Sequence, residues 1–167
     1  MLMGLDARNR DPATGESAMS YEEKALEVFG KPCNCGQAIM VGFAPRFGLE
    51  PELARGLGRS LGGGLGRLGL VCGAVSAAII LLGLACEAPA EERPRNDAAY
   101  QAVREFAARF QALHGAIDCR ALLGIDVGSE AGQAEARAQG LFLNRCPLFV
   151  RDAARILTEM LAEKPTA

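Results

Sequence analysis

Six cysteines, at positions 33, 35, 72, 86, 119 and 146, are the residues of this chain best equipped for chemistry. A thiolate attacks disulfides and ligates soft metals, so the useful question is where a thiol would lose its proton. Four of the six fall where the pattern predicts helix starts. Cys35 follows the capping residue Asn34, Cys72 follows a glycine cluster, Cys119 follows Asp118, and Cys146 precedes Pro147, a residue suited to the first helical turn. The first turn of a helix offers spare N–H groups and partial positive charge, and both favour thiolate. Cys35, Cys72, Cys119 and Cys146 are therefore the candidate cofactor-binding and metal-ligating residues; no catalytic residue is assigned. Their spacing forms no local motif. There is no C-x-x-C for a zinc knuckle or thioredoxin-type exchange, and no C-x-x-C-H for covalent haem. On spacing alone they read equally well as small buried hydrophobes. Cys33 and Cys86 read as packing residues, Cys33 also as a spare thiol.

Other features point less far. Gly64-Leu65-Gly66-Arg67-Leu68-Gly69 fits G-x-G-x-x-G, but a dinucleotide fingerprint needs a strand before it. Residues 52–60 read as a helix, so the glycines are expected to form a tight turn between two closely packed helices. His114, the sole histidine, ends an amphipathic segment and reads as a capping or exposed residue. Arg55, Arg59 and Arg67 read as a solvated helix face. No Ser-His-Asp order and no H-E-x-x-H occurs.

The elements that must position the cysteines are helical throughout. Ser20 and Glu23 make a capping box ahead of Ala25, Val28 and Phe29, with Gly30 and Pro32 as terminators. A second helix starts at Cys35 and stops at Gly42 and Pro45. A third spans residues 51–61, and an apolar one spans residues 70–85. Residues 87–95 read as a polar, proline-bearing linker. Asn96 or Asp97 then caps a strongly amphipathic helix carrying Tyr100, Val103, Phe106, Phe110 and Leu113. A short turn of helix at 119–123, a solvated helix around 131–139 and a final helix from Cys146 complete the pattern. No stretch alternates as a strand. The predicted fold is all-α: one compact helical domain of about six to eight helices over residues 20–163, with a leader at 1–19 and a tail at 164–167.

Bulk properties narrow the function. The net charge is −2, there is no Trp, and no basic stripe tracks a phosphate backbone, so nucleic-acid binding is not expected. The polar leader lacks the apolar core of a signal peptide, which points to the cytoplasm, where six thiols imply metal or redox work more than structural disulfides. Residues 68–86 lack charge and are long enough to span a membrane, yet they read as a buried core helix, because three are Gly and no aromatic belt flanks them. Gly69, Gly73 and Ala77 give that helix a smooth face for close approach of another backbone, either internally or in a homo-oligomer.

Taken in order, several pieces resemble one bacterial and archaeal family of redox-active proteins named for the cysteine pattern C…GCAxxG…C…C. They are Asn34-Cys35-Gly36-Gln37-Ala38-Ile39, the glycine-rich residues 61–67, Cys72-Gly73-Ala74-Val75-Ser76-Ala77 with Leu82-Gly83-Leu84, Cys119-Arg120-Ala121-Leu122-Leu123-Gly124, and Cys146-x-x-Phe149-Val150. The order Cys72-Gly73-Ala74 and the Ala at 77 depart from the label. The resemblance implies a redox role in a helical fold, and a similarity to the iron–sulfur part of split-Soret cytochromes without their haem. It implies an iron–sulfur cluster on Cys35, Cys72, Cys119 and Cys146, surrounded by Ile79, Ile80, Phe110 and Phe149, with electron transfer to a redox partner protein. The alternatives are a metal-free thiol–disulfide protein, a structural zinc site, and a helical interaction module with incidental cysteines.

Overall fold

The computed structural model describes residues 19–86 and 91–163. The predicted leader (through residue 18), the tail and residues 87–90 of the linker lie outside the described residues. The fold is all-α, as the periodicity predicts, and among the described residues only isolated bridges replace strands. Helix α1 is Tyr21–Val28, opened by the predicted capping box: Glu23 N–H donates to Ser20 Oγ at 3.1 Å, and Ser20 N–H to Glu23 Oε2 at 2.8 Å. A second box opens α2, Cys35–Phe43, where Asn34 and Gln37 exchange bonds of 3.0 and 3.1 Å. Every residue of α2 after Cys35 is buried, and α1, α3 (Pro51–Arg59), α4 (Gly73–Leu84) and α9 (Cys146–Glu163) all pack on it. It is the axis of the molecule.

A 3₁₀ turn, Ala44–Phe47, leads to α3, Pro51–Arg59. Then follow α4, Gly73–Leu84; α5, Glu92–His114; α6, Cys119–Leu123; α7, Glu130–Ala138; α8, Leu141–Asn144; and α9, Cys146–Glu163. Helix α8, a single turn, is not foreseen by the pattern. Helix α5 starts earlier than Asn96 because Pro94 sits in its first turn, where a missing N–H costs nothing. The apolar α4 starts at Gly73 and has 12 residues, roughly 18 Å at the α-helical rise, against a bilayer core of about 30 Å. No described helix is long and apolar enough to cross a membrane. Gly73 and Ala77 face the chain's own core.

Residues 63–67 explain the late start of α4. All five have left-handed φ, from +61° to +72°, including Leu65 and Arg67. Leu65 N–H bonds to Leu61 O at 3.2 Å, Gly66 N–H to Ser60 O at 2.7 Å and Arg67 N–H to Gly62 O at 3.0 Å. Glycine is the residue that bears such φ without a Cβ penalty. The G-x-G-x-x-G spacing is thus a left-handed turn after a helix, as the tight-turn reading has it.

Helices α2 and α3 meet backbone to backbone. A Cβ on Gly58 would stand 2.5 Å from Gln37 Cα, whereas one on Gly56 would meet nothing within 4 Å. Gly58→Ala should therefore lower stability by about 1–3 kcal/mol, the cost of overpacking. Gly56→Ala, in the same helix, should raise it by about 0.5–1 kcal/mol through backbone entropy. Urea unfolding of the two variants checks the opposed signs.

Candidate functional site

The four predicted cysteines do stand at helix starts. Cys35, Cys119 and Cys146 are the first residues of α2, α6 and α9, and Cys72 caps α4. All four line one apolar cavity of about 260 Å³, with Phe29, Leu122, Leu123, Phe142 and Phe149 among its walls.

Three devices bring them together. A two-residue antiparallel bridge joins Val71 to Asp118: Cys72 N–H donates to Ile117 O at 2.8 Å and Cys119 N–H to Leu70 O at 2.7 Å. Cys72 and Cys119 thereby flank the bridged pair on a diagonal. Gly73 clears space for Cys35, since a Cβ there would lie 2.7 Å from Cys35 Sγ and 2.5 Å from Leu61 O. Gly64, at φ +72°, does the same for Cys119, whose Cβ would be 2.8 Å from an added methyl.

The electrostatics are uneven. The Cys72 thiol donates to Cys35 and is the main reason that Cys35 is lowered to about 7; burial opposes this, and N–H groups of Gly63, Gly36 and Ala74 add to the lowering. Cys72 is pushed well up by holding that proton, by burial and by the negative Cys35. Burial first, and the Cys35 charge second, raise Cys119 to about 11 and Cys146 to about 12. Without metal, Cys35 is the one of the four that gives up its proton near neutral pH, while the other three are shifted the opposite way. Among the described residues, no group of three or more His, Cys, Asp or Glu is gathered so as to hold a metal ion.

A fifth thiol belongs to the cavity. Cys33 is 3% exposed, lines the wall, and accepts from Arg55 Nη1 at 2.9 Å. Packing describes it only in part; the C-x-C spacing was the signal. Arg55 is correspondingly more than a solvated charge, while Arg59 and Arg67 are exposed as expected. Cys86 is buried and is not among the lining residues. Of the expected apolar surround, Phe149 lines the cavity, whereas Ile79, Ile80 and Phe110 do not. Ile80 is 39% exposed, because α4 is apolar all round and cannot bury every face. His114 is neither exposed nor a cap. Gly115 closes α5 in the left-handed conformation, and the half-buried imidazole lies between Phe110 and Phe149 with Nε2 3.1 Å from Asp152 Oδ2 but outside hydrogen-bond geometry.

A helical fold that turns thiols from four helix starts onto one apolar cavity defines a cysteine-site protein. Residues 33–160 match the family model described as "Putative redox-active protein (C_GCAxxG_C_C)", and the chain belongs to that family. No curated protein and no solved structure matches it.

In the reduced, metal-free protein, Cys35 should be the cavity thiol of the four that iodoacetamide modifies at neutral pH. Its rate should fall as pH drops through about 7, where the thiolate is protonated. Cys72→Ala removes the S–H donor and should move that midpoint upward. Mass-spectrometric mapping across pH tests both; equal labelling of Cys35 and Cys119 at pH 7 would contradict the electrostatics.

Proposed function

We propose that this protein transfers electrons through an iron–sulfur cluster held by Cys35, Cys72, Cys119 and Cys146. The observation that carries the reading is the convergence of these four thiols on one apolar cavity. Cys₄ sets hold [2Fe–2S] and [4Fe–4S] clusters without needing closeness in sequence. When bound, such a cluster supplies one-electron chemistry. The chain's own residues supply the rest. Cys35 offers a sulfur that loses its proton near neutral pH, and Cys72, Cys119 and Cys146 hold theirs more tightly, so that a bound cation would have to displace them. N–H groups of Gly63, Gly36 and Ala74 aim at the Cys35 sulfur, which tunes potential, while Phe29, Phe142 and Phe149 exclude water. A redox partner protein delivers and collects the electrons, and a reducing, cytoplasmic setting suits the thiols.

One observation favours a second reading. Cys35 and Cys72 share a proton through a sulfur–sulfur hydrogen bond. Oxidation of that pair forms one S–S bond, releases the Cys72 proton and passes two electrons to a disulfide or quinone-type acceptor.

Iron and acid-labile sulfide analysis of the full chain, purified and reconstituted without oxygen, separates the two. The leading reading expects equimolar iron and sulfide with a visible charge-transfer band, lost in Cys72→Ser and kept in Cys86→Ala. Absence of both after reconstitution, with two thiols lost reversibly on oxidation in wild type but not in Cys72→Ser, would overturn it in favour of the disulfide.

A further inference from the structure

His114 is a titratable group beside the cavity that the site itself does not use. Its ring centroid is 5.0 Å from that of Phe149, edge to face, and Phe149 is a wall of the cavity. One aromatic ring therefore separates the imidazole from the space the cysteines share. The other face meets Phe110 at 4.6 Å. Side-chain exposure is 13% for His114 and 9% for Asp152, whose Oδ2 lies 3.1 Å from Nε2. Rings and burial leave little water to screen a charge that appears across Phe149.

The surrounding charges come from α9, from Arg145 just before it, and from α5 and α1. Arg151 grips Asp152 through bonds of 3.0 and 3.1 Å, and Arg155 approaches it at 3.9 Å. Arg145 stands 5.8 Å from the centre of the Phe149 ring. On α5, Arg109 pairs with Glu105 and with Glu159 of α9. From α1, Glu22 acts on Arg151. Asp152 is thus a single carboxylate shared by two arginines and the imidazole. Burial, aided by Arg145 and Arg151, holds the histidine below its ordinary value of 6.5 despite Asp152, so the ring is neutral at pH 7. A negative charge added across Phe149 would tip that balance.

We propose that His114, oriented by Asp152, is the proton acceptor that answers a gain of negative charge in the cysteine cavity. When a one-electron donor reduces a group held by the four cysteines, one proton passes from solvent to the imidazole, whose Nε2 lies 3.1 Å from Asp152 Oδ2, and the net charge of the protein is unchanged. The functional meaning rests on the redox reading above; the electrostatic coupling does not. His114 acts through the cavity's charge, and Asp152 is a positioning residue.

The chain contains one histidine, so its imidazole Cε1 proton gives a single titrating NMR signal. The first comparison is Cys146→Asp against Cys146→Asn in the reduced, metal-free full chain, two variants of almost one shape that differ by one charge at the start of α9. The midpoint of His114 should be higher in the Asp variant by about one pH unit, the scale for a unit charge on the order of 10 Å away at an effective dielectric near 20. Superimposed curves overturn the proposal. The second comparison needs neither variant. In the reconstituted wild type, the midpoint potential should fall with rising pH by one proton per electron, and His114→Gln should flatten that slope. An equal slope in both overturns the proposal. Finding no redox couple at all defeats the redox reading instead, while the NMR shift still decides the coupling.

Discussion

Cys35 rests its sulfur where residue 73 would otherwise carry a Cβ, and most of the architecture follows from that contact. Three glycines let the chain cross itself closely there. A Cβ on Gly36 would fall 2.5 Å from Leu61 Cβ, one on Gly58 would strike Gln37, and one on Gly73 would strike both Leu61 O and Cys35 Sγ. The two residues that cap α2 also pin α3: Asn34 Nδ2 donates to Arg59 O at 3.0 Å, and Gln37 Nε2 to Arg55 O at 3.1 Å. Cys35 is therefore held by groups that already serve the helix start, the neighbouring helix and the turn beyond. Polar groups at a buried crossing need partners, and here each partner also fixes the position of a thiol.

The left-handed turn is the costly half of this arrangement. Leu65 and Arg67 each bear a penalty of about 1–2 kcal/mol for their φ. In return, the chain doubles back so that Gly63 presents its N–H to Cys35 and Leu70–Val71 lies alongside Ile117–Asp118. The same segment thus feeds one cysteine a hydrogen bond and sets the register of two others. Backbone strain gathered beside the reactive sulfur, with hydrogen bonds across the turn to hold it, is how strained segments persist in functional sites.

Much of this was legible in the residues. Capping boxes at Ser20 and Asn34, Pro147 after Cys146, and the glycine run between two helices are local signals, and local signals identified the helix starts. The convergence of cysteines 35, 72, 119 and 146 was not legible from spacing, because it is made by the 71–118 bridge and by Gly73, both long-range facts. Cys33 escaped for the same reason: its partner, Arg55, lies on another helix. His114 was misplaced because helix-end logic sees the dipole and the cap but not the rings of Phe110 and Phe149 that enclose it. The apolar shell was read from hydropathy, which identifies what is apolar without saying which face of α4 turns toward the thiols.

The uneven protonation of the cavity then limits what its chemistry can be. One thiolate is tolerated because a neighbouring thiol and three N–H groups solvate it. A second thiolate in the same apolar space would meet both the burial cost and the first charge, and that is what lifts Cys119 and Cys146 so far. Four thiols gathered this way have two routes to lower energy. A cation can replace the protons, and soft, cluster-forming iron is suited to such sulfur donors. Alternatively, two sulfurs can shed their charge by joining. The disulfide route releases two electrons, the cation route supplies electron chemistry only where the bound group is itself redox-active, and both change the charge beside the Phe149 wall. A half-buried histidine with a compensated carboxylate behind that wall is the arrangement that lets such a change occur without leaving an uncompensated charge in the interior.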